Sequence, residues 1–379
     1  MKKNHFIFSI ITLVLLVVFI TSFNYFKTTN TYIDDSVNNH TKITKGISMN
    51  LEQTAGAGDY KTVTQSSWPT EGYKFNAELS RCENGSTLSW DDTKKAVIVS
   101  GNLSDKCYVY FDIYQPTLAE YIKSQYTGTQ GDNGIYYHDA SLTNGAGDNS
   151  YRYAGASDSI NNYICLGSDV TTCPDANLFR IIGVFGDQTK VIRAKSVGNK
   201  QWNRSSNTWS SSSLNTYLNG EYLTSLGTLA DKIATTTWKV GGGTYESILT
   251  SVPATAYQYE VGSSASTTTV DKKIGLIYVT DYYYGASPSA WTLMGYNSDA
   301  TKDYRAATST NWLYLGSYEW TISRNSDYTS RAFYVLSTGG VSDGSTVTES
   351  YAARPSFNLL SSVKYVSGSG SMSDPVRVN

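Results

Sequence analysis

Residues 178–185, LFRIIGVF, and residues 191–197, VIRAKSV, flank the short segment GDQTK at 186–190. An apolar run of this length, bounded by turn residues, reads as a strand buried on both faces. VIRAKSV is its hairpin partner across the Gly-Asp turn. Arg180 lies inside the first run, so this strand carries a charge into a core.

Working outward, the Ser-rich lead-in of WSSSSLNTYLNGEYLTSLG (209–227) opens the clearest helix, with Leu214, Tyr217 and Leu218 on one face. IGLIYV (274–279) is another buried strand, and TDYYYGAS starts a short helix with Thr280 as its cap. AFYVLST (332–338) and the tail around ARPSFNL add strands. On the N-terminal side, Pro116 introduces TLAE, a capping box pairing Thr117 with Glu120, ahead of the short helix LAEYIKSQY. Residues 127–163 are loop-like. The oxygens of the 131–149 loop suit a hard cation such as calcium, but D-x-[DN]-x-[DN]-G is absent and the Asn-Gly and Gly-Asp pairs are ordinary turn formers, so no metal is assigned. The residues thus predict an α+β domain over 116–379, with strands outnumbering helices.

Residues 46–115 switch to short alternating runs. In CYVYFDIY, Cys107, Val109, Phe111 and Ile113 share one side and Tyr108, Tyr110 and Tyr114 the other. A small β-sandwich or β-meander, acting as a spacer, is the expectation. Residues 27–45 read as a polar stalk. Residues 6–23, FIFSIITLVLLVVFITSF, carry no charge and at 1.5 Å per residue span about 27 Å, near bilayer thickness. With Lys2 and Lys3 before it and no A-x-A site after it, segment 1–26 reads as an uncleaved signal anchor with a transmembrane helix; a cleaved signal peptide is the alternative. The positive-inside rule then puts everything after residue 26 outside the cytoplasm, making the membrane a partner.

Four cysteines agree with an oxidising exterior. They allow three connectivities; pairing Cys82 with Cys107 and Cys165 with Cys173 is favoured because each bond then lies within one structural unit. With no CxxC and no nearby histidine, a zinc site is rejected. Charged residues are 16% and net charge is −2, so no basic field exists for nucleic acid. The missing charge is replaced by Ser, Thr, Asn, Gly and 31 tyrosines.

YRYAGA, NLFRIIGVF, WSSSSLNTYLNG, IYVTDYYYGAS, NWLYLGSYEWTISR and AARPSFNL, in that order, resemble a family of secreted and surface proteins of gut Firmicutes and related wall-less bacteria. The resemblance runs from about Pro116 to the end. It implies a C-type-lectin-like fold of the formylglycine-generating-enzyme superfamily, and brings no assigned activity. Formylglycine-generating enzymes bind copper through a cysteine pair near the C-terminus, and no cysteine follows Cys173 here. The Glu-Pro-Asn, Gln-Pro-Asp and Trp-Asn-Asp calcium motifs of sugar-binding C-type lectins are also missing. The resemblance therefore implies no cofactor.

Catalytic patterns are sparse. The three histidines are His5, His40 and His138, and neither a G-x-S-x-G elbow nor a P-loop occurs. Asp281, Asp303, Glu319 and Asp327 are candidates for a glycosidase carboxylate pair. Each has a duller reading: Asp281 at a helix start, Glu319 paired with Arg180 or Arg354. Binding fits better, because Tyr and Trp give rigid contact area while Ser and Asn supply adaptable hydrogen bonds. The expected face is Tyr282, Tyr283, Tyr284, Trp291, Tyr314, Tyr318, Arg324 and Tyr328, with Trp320 in the core. The chain is thus expected to be a non-enzymatic, surface-anchored adhesion protein for a glycan or protein ligand. A carboxylate-pair hydrolase and a structural envelope protein are the alternatives.

Overall fold

The computed structural model describes residues 46–379 apart from 65, 66, 70 and 103. The chain divides into two compact units, one ending at Gln115 and one running from Pro116 to Asn379. The anchor and stalk expected before residue 46 lie outside the described residues. Among the described residues no helix is long and apolar enough to cross a membrane, and the expected membrane anchor finds no support in them.

In the first unit, the strand Ile47–Glu52 runs parallel to Cys107–Ile113 at the centre of a five-stranded sheet. A plain meander would make that pair antiparallel. The alternation of CYVYFDIY is kept: Cys107, Val109 and Phe111 are fully buried, while Tyr108 and Tyr110 are half-buried on the other face. Met49, Leu51 and Val97 complete this core with Trp68 and Trp90 packed against it. Cys82 pairs with Cys107 across adjacent strands and is bonded to it.

The second unit is built on the stretch quoted first. Leu178–Phe185 and Gln188–Arg193 form a hairpin in the middle of a nine-stranded sheet, as expected except that the turn is only Gly186 and Asp187 and the second strand runs over 188–193 rather than 191–197. Ser356–Leu359 extends it on one side, Tyr163–Cys165 on the other, and Tyr151–Tyr153 pairs with the end of Leu178–Phe185. Arg180 stays buried because Asn162 Oδ1 accepts from its Nε at 2.6 Å and its guanidinium lies 4.3 Å from the Tyr163 ring and 4.7 Å from that of Trp312. A second, five-stranded sheet is ordered Asn199–Gln201, Ser350–Ala352, Glu319–Arg324, Ala332–Val335, Val341–Ser342. Cys165 and Cys173 are bonded to each other.

The expected α+β, C-type-lectin-like fold class needs correction: the molecule is β-rich, 32% strand against 20% helix. The run expected as the clearest helix is helical from Ser213 to Ser225, with a wider π turn over Leu218–Tyr222 between Ser213–Tyr217 and Leu223–Ser225, and a 3-10 turn follows over Gly227–Lys232. Asn219, Gly220 and Gly227 fall inside it, and Asn and Gly are poor helix formers. The capping box of Thr117 and Glu120 forms as expected. Thr280, by contrast, is not a cap. Tyr278 precedes the helix Val279–Tyr284, and the Asp281 carboxylate accepts from the Tyr278 N–H at 2.9 Å.

Candidate binding site

The eight residues expected to form one face are split by the fold. Tyr282, Tyr283, Tyr284 and Trp291 are buried, so their display role is corrected. Their polar tips are satisfied by backbone carbonyls: Tyr282 donates to Gly339, Tyr283 to Ile248, Tyr284 to Asn144 and Trp291 to Ala286. Satisfied tips let such rings serve as core, and every residue of the helix Val279–Tyr284 is buried. Tyr314 is half-buried and donates to Ser337 O, while Arg324 is half-buried with its Nε on Gly241 O.

Tyr318 and Tyr328 are exposed, at 43% and 49%. Tyr328 lies beneath the Arg331 guanidinium, 4.2 Å away. Tyr318 joins an aromatic edge that the linear pattern hides. Ser350–Ala352 runs parallel to Glu319–Arg324, and the Tyr318 ring stacks on Tyr351 at 5.0 Å and 21°. Trp320 faces Tyr334 across the next pair of strands, and both rings pack against Tyr351. The Ser345 hydroxyl bonds to both the Tyr334 and Tyr351 hydroxyls. Tyr351 and Tyr334 were not foreseen, because residues some 16 to 33 positions from Tyr318 reach it only through strand order. Trp320 is fully buried, as expected.

The four candidate acids are committed elsewhere. Glu319 is buried and forked by Arg354, whose Nε and Nη2 donate at 2.6 and 2.8 Å; burial nonetheless pushes its carboxyl above the usual range. Asp303 is buried and takes bonds from the Arg305 side chain and the Asn297 N–H. Asp281 holds Lys190 at 2.5 Å. Asp327 is exposed, with no charged partner among the described residues. His138 is fully buried against Tyr284 and Trp291, its Nδ1 accepting from the Ala146 N–H at 3.1 Å. Burial, and then the Arg152 charge, holds it well below the ordinary histidine range, so it is neutral. In the 131–149 loop, Asp132, Asp139 and Asp148 each bind local hydroxyls or Arg152. Among the described residues no three metal-ligating side chains are placed to hold an ion.

A cavity of about 240 Å³ opens where the nine-stranded sheet meets the helix Val279–Tyr284. Its base follows from register. Arg152 pairs with Gly183, Gly183 with Lys190, and Lys190 with Asn358, so four strands contribute one row across the sheet. A side chain at position 183 would strike the Tyr151 carbonyl, 2.2 Å from where its Cβ would lie, so glycine lets the strands close. Phe185, Trp238, Tyr257 and Tyr278 supply aromatic wall. The Lys190 ammonium is 4.8 Å from the Tyr278 ring and 5.6 Å from Trp238. Arg152 is gripped by Asp148 at 2.5 Å and by Ser150 at 2.7 Å. Although burial opposes it, the Arg152 charge keeps Asp148 ionised well below the usual carboxylate range. Behind the wall, Glu260 is buried with no cation partner among the described residues and accepts from Val279 N, Thr280 N and the Thr280 and Ser323 hydroxyls. Burial raises its carboxyl.

A family model described as a domain of unknown function, DUF6273, matches residues 186–361. That span holds the Tyr318–Tyr334–Tyr351 edge and, in the cavity, Lys190, Trp238, Tyr278, Asp281 and Asn358, but not Arg152. No curated protein and no solved structure matches the chain.

Proposed function

We propose that the unit from Pro116 to Asn379 is a non-catalytic binding module for saccharide, working outside the cytoplasm. The observation that carries this is the exposed Tyr318 ring stacked on Tyr351, with Trp320 and Tyr334 packed behind it. A flat ring held still from behind offers a platform for the CH face of a sugar at little entropic cost. A surface poor in charge and rich in hydroxyl and amide groups matches a neutral, hydroxylated ligand. The two disulfides support an oxidising compartment. Binding is preferred to hydrolysis because Asp281, Asp303 and Glu319 are each held by a cation or backbone donors, so no pair is free to act as acid and base.

The test is an array of glycans and surface proteins probed with the purified chain. Glycan binding that falls at least tenfold in Tyr318→Ala, with the unfolding midpoint unchanged, supports the reading. Binding only to proteins or to itself, or hydrolysis that disappears with Asp281→Asn, overturns it.

A further inference from the structure

The cavity over the row Arg152–Gly183–Lys190–Asn358 plays no part in the exposed tyrosine edge, and its polar groups are incompletely used. Among the described residues, the Arg152 Nη1 makes no hydrogen bond; its nearest carboxylate oxygen is Asp281 Oδ1, 3.9 Å away. Yet Arg152 is only 2% exposed. The Asp281 Oδ2 is occupied by Lys190 and the Tyr278 N–H, while Oδ1 accepts nothing within hydrogen-bond reach. Asn358 gives its amide N–H to Thr236 at 3.1 Å, and its Oδ1 is buried without a partner. One buried acceptor, Asn358 Oδ1, and two further groups without a hydrogen bond among the described residues, Arg152 Nη1 and Asp281 Oδ1, thus border one small chamber, and buried polar groups normally find partners.

We infer that this cavity holds one neutral pyranose ring, as a site separate from the tyrosine edge. Size sets the first limit: about 240 Å³ lies just below the usual range for ligand pockets and suits a single ring. Charge sets the second. A carboxylate or phosphate would meet the unfilled Asp281 oxygen, with Asp148 behind Arg152, and its natural partner Lys190 is already neutralised. An ammonium would meet the Arg152 guanidinium and Lys239, Lys190 being already paired with Asp281. A hydroxyl meets neither objection, because it donates and accepts at once. One oxygen about 2.8 Å from both Arg152 Nη1 and Asp281 Oδ1 bridges their 3.9 Å separation, accepting from the first and donating to the second. A second hydroxyl of the same ring donates to Asn358 Oδ1. The walls of Trp238 and Tyr278 take the CH face of the ring.

This deepens the saccharide reading by adding a second site, and the two fail separately. The full chain is titrated by saturation-transfer NMR with the methyl glycosides of glucose, galactose and mannose and with N-acetylglucosamine. Glucuronic acid and glucosamine serve as charged analogues. Val261, half-buried in the cavity wall, is changed to Trp to fill the chamber from a position whose replacement leaves the charged row intact. Binding of at least one neutral pyranose at about millimolar affinity is expected. The charged analogues should bind at least tenfold more weakly, Val261→Trp should abolish binding and Asp281→Asn should weaken it at least tenfold. Tighter binding of a charged analogue, binding that survives Val261→Trp, or no binding of any free pyranose overturns the inference. Array binding that vanishes with Tyr318→Ala while no free pyranose binds overturns the cavity alone. Free pyranose bound at the cavity beside a silent array supports the cavity and overturns the edge.

Discussion

At the scale of single residues, most charge in the second unit serves packing. Arg354 and Glu319 are both buried and make two charge-assisted bonds to each other. Removing one partner strands a charge in the core, so Arg354→Met should cost about 3–5 kcal/mol. The double change to Met and Gln should recover part of that loss, since the stranded charge goes too. Urea unfolding midpoints of the two variants, against that of the unchanged chain, measure it. His138 makes a prediction in pH. Its folded-state affinity for protons is depressed by burial and by Arg152, while an unfolded histidine titrates near about 6.5. Below that value the unfolded chain takes up a proton that the folded site refuses, so stability present above about 6.5 drains away as pH falls. The slope is about 1.4 kcal/mol per pH unit until the folded site titrates too. His138→Phe should lose the Ala146 bond at every pH but flatten the slope between pH 7 and 5, as read by thermal melts in that range. Asp148 does not confuse this window. Its folded carboxyl is depressed, so its contribution is lost only below about pH 4.

Elements show what the sequence could and could not reveal. The hairpin Leu178–Phe185 with Gln188–Arg193 was legible because an apolar run beside turn residues is a local signal. So were the alternation of Cys107–Ile113 and the Thr117 cap. Tyr282, Tyr283 and Tyr284 misled because three hydroxyls in a row look like display, whereas their partners Gly339, Ile248 and Asn144 come from distant parts of the chain. The cavity row was invisible for the same reason: Arg152, Lys190 and Asn358 converge through register over about 200 residues, and Asp281 joins Lys190 from a separate helix. The tyrosine edge allows a sharp test of core against surface within one strand and its flank. Trp320→Ala removes a fully buried ring and should cost about 3–5 kcal/mol, whereas Tyr318→Ala should change stability by less than about 1 kcal/mol and act on binding instead. Guanidinium unfolding beside array binding separates the two. Equal stability losses would mean that Tyr318 is core and no platform exists.

At the scale of the whole molecule, each unit holds its own core and its own disulfide. Met49, Val109 and Phe111 pack within the first, and the large cluster around Phe179, Trp202 and Trp320 lies within the second. Cys82–Cys107 closes a separation of 25 residues and Cys165–Cys173 one of 8. Chain-entropy arguments assign about 3–4 kcal/mol to the longer closure and about 2–3 kcal/mol to the shorter. A core of the first unit's size leaves little margin, since small domains bury a smaller fraction of their surface. Its stability therefore depends on the Cys82–Cys107 bond far more than the larger unit depends on Cys165–Cys173. Cys82→Ala with Cys107→Ala should lower or abolish the melting transition of residues 46–115 and leave that of residues 116–379 within a degree or two. Cys165→Ala with Cys173→Ala should lower the second transition by only a few degrees. Calorimetry of both double variants decides the matter. If the first pair shifts both transitions together, the units do not unfold independently, and residues 116–379 cannot be treated as a domain that folds by itself.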